Sequence, residues 1–144
     1  MNPPAMPSVR VDLSERAYDV VVEEGSLTSA GERIAALDIG RKAAVITDSN
    51  VGPLHAEALL SSLAAAGMEA SVHTIPAGEA SKSFARFGEL HESLARSGHD
   101  RSSIAVALGG GVVGDLAGFV AASFYRGVSF VQIPTTIVAQ VDSS

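Results

Sequence analysis

Short apolar, β-branched runs alternate along this chain with stretches of helical spacing. Residues 9–13 and 18–23 predict two short strands, a hairpin across Ser14, Glu15 and Arg16. Residues 27–37 predict a helix and 42–47 (KAAVIT) a buried strand. Residues 51–66 predict a helix with Val51, Leu54, Ala58 and Leu63 toward one face and Gly67 closing it. A strand is expected over 70–75. An amphipathic helix is expected over 83–97, with Phe84, Phe87, Leu90 and Leu94 inward and Gly98 after its end. Residues 103–108 predict a strand, 112–125 an almost wholly apolar helix, and 128–133 a last strand, after which Thr135 begins a helix.

That alternation implies an α/β fold, a Rossmann-like parallel sheet with helices on both faces. Residues 1–7 (MNPPAMP) are expected to be a flexible lead-in, and 8–144 one nucleotide-binding α/β domain. The segment from Ile137 to Val141 is apolar and follows the last strand with nothing left in the chain to pack against it. The expectation is a domain cut short at its C-terminal side.

Composition narrows the function classes. Of 144 residues, 47% are hydrophobic and 18% charged, enough to build a core and too apolar for disorder. Sixteen acids against ten bases give a formal charge of −6, so no general field attracts nucleic acid or an anionic membrane. Any anion must be held by local backbone sites. With no cysteine, disulfides and thiolate metal sites are excluded. No apolar run reaches the roughly 20 residues of a membrane span, and the start lacks a signal-peptide core, so a cytoplasmic location is expected.

The candidate chemistry lies where the strand 103–108 runs into Gly109-Gly110-Gly111-Val112-Val113-Gly114-Asp115. Gly109, Gly111 and Gly114 meet the G-x-G-x-x-G spacing. Glycine is expected here to permit positive φ and a close backbone approach, while the next helix aims its N-terminus at a pyrophosphate. Glycines for packing alone are the alternative. The usual ribose-binding acid some 20 positions on is missing, since no acid separates Asp115 from Asp142. The acid is therefore expected from an earlier strand end, at Asp48. Asp115 is expected in the first turn of the helix, either as a cap or facing the crevice.

These residues carry a resemblance. GGGVVGDLAGFVAASFYRG followed by FVQIPTTIVAQVDSS resembles the 3-dehydroquinate synthase family, and ITDSNV (46–51) and PAGEASKS (76–83) are similar to that family's cofactor loops. The match covers nearly the whole chain beyond Pro7 and is most specific from Gly109 to Ser144. It implies NAD+ as cofactor, with Asp48 and Asn50 on its adenosine side and Glu79 and Lys82 at the ribose and neighbouring groups. Gly110, Gly111, Val112, Gly114 and Asp115 would line the path of the pyrophosphate and nicotinamide ribose. Thr135, Thr136 and Val138 would meet the nicotinamide half, with Asp142, a catalytic candidate, and Ser143 near the reacting ring. Arg126 matches an arginine that enters the neighbouring subunit's substrate site, where a guanidinium suits phosphate or carboxylate. From the residues alone, Glu79 and Lys82 also read as a solvated helix start, Thr135 as an N-cap and Arg126 as a helix C-terminal charge.

The resemblance further implies a phosphate-eliminating lyase, a cyclase of the shikimate pathway. Its substrate would be the phosphorylated sugar acid 3-deoxy-D-arabino-heptulosonate 7-phosphate, its metal Zn2+ or Co2+, and its assembly a homodimer. A Glu and two His metal ligands are expected in a helical domain beyond Ser144. Within this chain His55, His73, His91 and His99 are dispersed, so no metal site is expected and the chain alone is expected to be inactive. Three other readings stand beside this one. They are a related sugar-phosphate cyclase such as 2-deoxy-scyllo-inosose synthase, an iron-dependent alcohol dehydrogenase of the glycerol dehydrogenase type, and a non-catalytic nucleotide-binding remnant.

Overall fold

The computed structural model describes residues 8–143; the expected lead-in, 1–7, and Ser144 lie outside the described residues. Strands β1 (Ser8–Val11) and β2 (Tyr18–Val21) pair antiparallel through a 3₁₀ turn at Ser14–Arg16, with Val11 opposite Tyr18. They form a two-stranded sheet of their own. The helix expected over 27–37 divides: Ser26–Ser29 is a 3₁₀ turn behind Gly25, which sits at φ 74°, and only Ala30–Ala36 is α-helical (α1).

Seven elements then alternate as the apolar pattern requires. They are β3 (Lys42–Asp48), α2 (Gly52–Ala65), β4 (Glu69–Ile75), α3 (Phe84–Arg96), β5 (Ile104–Gly109), α4 (Gly111–Ser123) and β6 (Ser129–Pro134). The four strands are parallel, in the order β4-β3-β5-β6. β5 is buried along its whole length and β3 along all but its ends, which explains their unbroken apolar runs. Alternate side chains serve opposite layers. Ala43 and Val45 pack with Ile34 of α1 and Leu59 and Leu63 of α2. Ala44 and Ile46 pack with Leu90 and Leu94 of α3 and Val113, Leu116 and Val120 of α4. Each fully buried Leu or Ile contributes about 2 kcal/mol of transfer free energy.

Two expected helix faces are rotated. In α2, Leu54 is 74% exposed and Ala58 is exposed, while Leu59, Ser62 and Leu63 are buried. The cause is α1. A Cβ on its Gly31 would lie 2.0 Å from the Ser62 carbonyl oxygen, and the Gly31 N–H donates to Ser62 Oγ at 2.9 Å. α2 therefore turns Ser62 toward α1. In α3, Phe84 is 86% exposed and the inward stripe begins at Phe87. A helical side chain leans back over the preceding turn, and before Phe84 that is a loop, capped where Ser83 Oγ accepts the Arg86 N–H at 3.3 Å.

The strand order fixes where a ligand can enter. From β3 the chain crosses to β4 on one side, then returns past β3 to β5 on the other. Right-handed crossovers in opposite directions put α2 on one face and α3 and α4 on the other. The loops leaving β3 and β5 diverge, and a crevice opens between them at the carboxyl ends of the strands.

Candidate functional site

Four loops meet at that edge. Asp48 ends β3, and its Oδ1 accepts the backbone N–H groups of Asn50 and Val51, both at 2.8 Å. This fixes the turn into α2. Oδ2 has no partner among the described residues, which leaves one carboxylate oxygen for an incoming hydroxyl.

The glycine turn behaves differently from expectation in one respect. None of Gly109, Gly110, Gly111 or Gly114 has positive φ; Gly110 is extended at φ −82°. The glycines are required by proximity. A Cβ on Gly109 would lie 2.7 Å from Val113 Cβ, and one on Gly110 would lie 3.2 Å from Thr136 Cγ2. A Cβ on Gly111 would meet nothing within 4 Å, so the backbone there faces open space at the start of a 13-residue helix. Its unsatisfied N–H groups and dipole suit an anion.

Asp115 is also corrected. α4 begins at Gly111, so Asp115 lies in the second turn and caps nothing. Its Oδ2 meets Lys82 Nζ at 2.7 Å, and Lys82 reaches Glu79 Oε1 at 3.4 Å. One ammonium thus bridges two carboxylates across the crevice. The hydrogen bond to Asp115, then that carboxylate's charge, holds the Lys82 ammonium above the usual lysine range. Asp115, 33 residues beyond Lys82 in the chain, thus joins the Glu79–Lys82 loop. The reading as a solvated helix start also holds: Glu79 opens a 3₁₀ turn and its side chain is 77% exposed.

The segment after β6 closes the site. The Thr135 N–H donates to the Gly109 carbonyl at 2.9 Å, tying it to the glycine turn. Thr136, rather than Thr135, caps the next turn: its Oγ1 accepts the Ala139 N–H at 3.1 Å. Thr135 Oγ1 is buried without any hydrogen-bond partner. A buried hydroxyl left this way costs roughly 1–3 kcal/mol, so it marks a place that a polar ligand atom or water would satisfy. Val138, 68% exposed, and exposed Asp142 continue into a π-helical turn, Ala139–Ser143.

Arg126 does not join this group. It follows the far end of α4, roughly 20 Å along the helix from the glycine turn. It is exposed and makes no ion pair with a described residue. Tyr125 and Arg126, at φ 47° and 68°, form a left-handed turn that returns the chain to β6, closed by Gly127 N–H to the Phe124 carbonyl at 2.9 Å.

The histidines serve packing. His73 and His99 are 4% and 3% exposed and share Ser71 Oγ, at 2.8 and 2.7 Å from their Nε2 atoms. His91 stacks against Phe87, and His55 is exposed. Among the described residues no group of three or more His, Cys, Asp or Glu is placed to hold a metal ion. No helix among them is long and apolar enough to cross a membrane. Sequence reasoning missed Ser49, whose Oγ accepts the Ala77 N–H at 3.0 Å, and buried Ser81, whose hydroxyl donates to the Pro76 carbonyl. Ser49 had no local signal, because its partner lies 28 residues away, whereas Ser81 bonds within its own loop.

The family model described as 3-dehydroquinate synthase N-terminal matches residues 72–144. The 3-dehydroquinate synthase of Paracoccus denitrificans is 53% identical over 95% of this chain, which spans 37% of that relative's length. A crystal structure of 2-deoxy-scyllo-inosose synthase complexed with carbaglucose-6-phosphate, NAD+ and Co2+ has a TM-score of 0.86 at 25% identity, over 95% of this chain and 37% of that one. The 2-epi-5-epi-valiolone synthase of Streptomyces hygroscopicus subsp. jinggangensis, with NAD+ and Zn2+ bound, has a TM-score of 0.73 at 30% identity, over 92% and 36%.

Proposed function

The chain belongs to the 3-dehydroquinate synthase family, and we propose that it forms the NAD+-binding part of an enzyme that converts 3-deoxy-D-arabino-heptulosonate 7-phosphate into 3-dehydroquinate and phosphate. The observation that carries the reading is the open face of Gly111 at the N-terminus of α4, bordered by the orphaned Thr135 hydroxyl and the Lys82–Asp115 bridge. Free backbone donors at the start of a helix suit the pyrophosphate of a dinucleotide.

NAD+ bound there supplies a reversible hydride acceptor, restored in each turnover. The chain's own residues then have distinct tasks. The N–H groups of Gly110, Gly111 and Val112 face the pyrophosphate, with Gly114 farther along the same path. Asp48 offers its free oxygen to a ribose hydroxyl, beside Asn50. Asp115, Lys82 and Glu79 orient the second ribose and the charged path to it. Thr135, Thr136 and Val138 border the nicotinamide, with Asp142 and Ser143 next in line toward the substrate. Arg126, too far from its own crevice, serves a neighbouring subunit in a homodimer and meets substrate phosphate or carboxylate there. The described residues hold no donor set for the Zn2+ or Co2+ seen in related cyclases, and no step through a metal is derived from them. Elimination of phosphate assigns the reaction to the lyases.

The test is a calorimetric titration of the chain with NAD+. Saturable one-to-one binding is expected. Gly111→Val should weaken it at least about tenfold while leaving the melting temperature within about 3 °C, because the added side chain meets only open space. Binding that is absent in the unmodified chain, or indifferent to Gly111→Val, would sink the reading. Product analysis of the whole enzyme that contains this part, with the heptulosonate phosphate and metal, separates dehydroquinate formation from other cyclisations.

A further inference from the structure

The loop between β4 and α3 has to hold Glu79 and Lys82 in place, yet its links to the rest of the crevice are few. It closes on itself. Ser81 donates its hydroxyl to the Pro76 carbonyl, its N–H donates to Gly78 O at 3.1 Å, and the Lys82 N–H donates to Glu79 O at 3.0 Å. Gly78 stands at φ 110°, ψ 162°, a conformation open essentially to glycine alone. This makes the loop a preformed unit. It does not say where the unit sits.

Among the described residues, two polar contacts join the unit to the crevice. One is the Lys82–Asp115 ion pair, whose partners are 43% and 49% exposed. Ion pairs at such exposure are screened and hold position weakly. The other is Ser49. Its N–H donates to the Ile75 carbonyl at 2.9 Å, adding one rung beyond the end of the β3–β4 ladder. Its Oγ accepts the Ala77 N–H at 3.0 Å, adding a second. The residues on either side of Ser49 are Asp48 and Asn50, the adenosine-side pair. A single residue therefore couples the turn that meets one part of the nucleotide to the loop that meets another.

We propose that Ser49 is a positioning residue that locks the Glu79–Lys82 loop against the end of β3, and that this lock sets the affinity for the dinucleotide. The inference rests on the NAD+ reading of the crevice. The side-chain hydrogen bond is solvent-exposed, so removing it strands no buried group. Water replaces Ser49 on Ala77, and what is lost is the fixed position of the loop. A purely structural residue would show the reverse pattern, with stability falling and ligand affinity following it.

The experiment compares the chain with Ser49→Ala, Ser49→Thr, Lys82→Met and the double variant Ser49→Ala/Lys82→Met. Hydrogen exchange at the Ala77 amide reads the lock without any ligand, and calorimetry with NAD+ reads its consequence. In Ser49→Ala the Ala77 amide should exchange at least about tenfold faster, and the NAD+ dissociation constant should rise about 5- to 10-fold, the equivalent of one hydrogen bond. The melting temperature should stay within about 3 °C. Ser49→Thr keeps the hydroxyl and should restore both readings to within about twofold. On the Lys82→Met background, Ser49→Ala should add less than about twofold, because the group it positions is gone. Additive effects, an unchanged dissociation constant, or failure of Ser49→Thr to rescue would each overturn the inference while leaving the NAD+ reading intact. No NAD+ binding by the unmodified chain would overturn both, even if Ala77 exchange still responded.

Discussion

Acid should destabilise this domain through His73. The His73 ring lies under α3 with 4% of its surface exposed, Nε2 at 2.8 Å from Ser71 Oγ and Nδ1 at 2.7 Å from Ser93 Oγ. Ser71 Oγ also meets His99 Nε2, at 2.7 Å, and His99 Nδ1 meets Ser103 Oγ at 3.2 Å. One hydroxyl carries one proton, so Ser71 donates to one ring and accepts from the other, and both rings are satisfied while neutral. Burial, and then the charge of His99, lowers the His73 pKa from 6.5 to about 4. The His99 ring is lowered too, chiefly by burial and then by Lys42, with Asp100 acting in the opposite sense. Between the two His73 values the unfolded chain binds a proton that the folded chain refuses. Stability therefore falls as pH drops through 6.5 and levels off below about 4, a loss of about 3 kcal/mol. Asp100, held below the usual carboxylate range by its Ser102 hydrogen bonds, titrates under this window. Urea unfolding of the chain and of His73→Gln at pH values from 7.5 to 4.5 measures the effect. The unmodified chain should lose more stability over that range than the variant, by about 2 kcal/mol or more. Parallel curves would refute the reasoning, since they would mean the ring accepts its proton equally well folded and unfolded.

Two further outcomes concern the glycine turn and the lysine bridge. Gly109→Ala places a methyl 2.7 Å from Val113, a residue buried at the start of α4, and should cost about 1–3 kcal/mol by urea unfolding, since neither strand nor helix can withdraw. Lys82→Met removes an exposed ammonium and should leave the urea-unfolding midpoint nearly unchanged, while NAD+ affinity measured by calorimetry falls several-fold; a large loss of stability would show that the bridge to Asp115 is chiefly structural.

Much of this architecture was legible in the amino-acid order because its causes are local or periodic. The runs that became β3 and β5 had to be buried on both faces, and a parallel sheet does that. The glycine turn announced itself by composition, and GGGVVGD with PTT and AQVDSS carried the family. Other features had no local cause. Gly109 needs its glycine because of Val113 and Gly110 because of Thr136, not for the positive φ the turn suggested. The expected inner face of α2 failed because Ser62 answers to Gly31 on another helix. Thr135 lost its capping role to the neighbouring Thr136, a choice of one residue that depends on how β6 meets the Gly109 carbonyl.

By itself, then, the sequence determined element type, element order, the position of the glycine turn and the family to which these belong. These follow from hydrophobic period, turn chemistry and motif, all of which act over a few neighbouring residues. Tertiary structure alone decided that Lys82 would bridge Glu79 and Asp115, that Ser49 would hold Ala77, that His73 and His99 would share one serine, and that Arg126 would lie away from its own crevice. Each depends on which strands became neighbours and how the helices turned against them. Strand order and helix rotation are settled by the packing of both faces at once, and no short stretch of the chain records that sum.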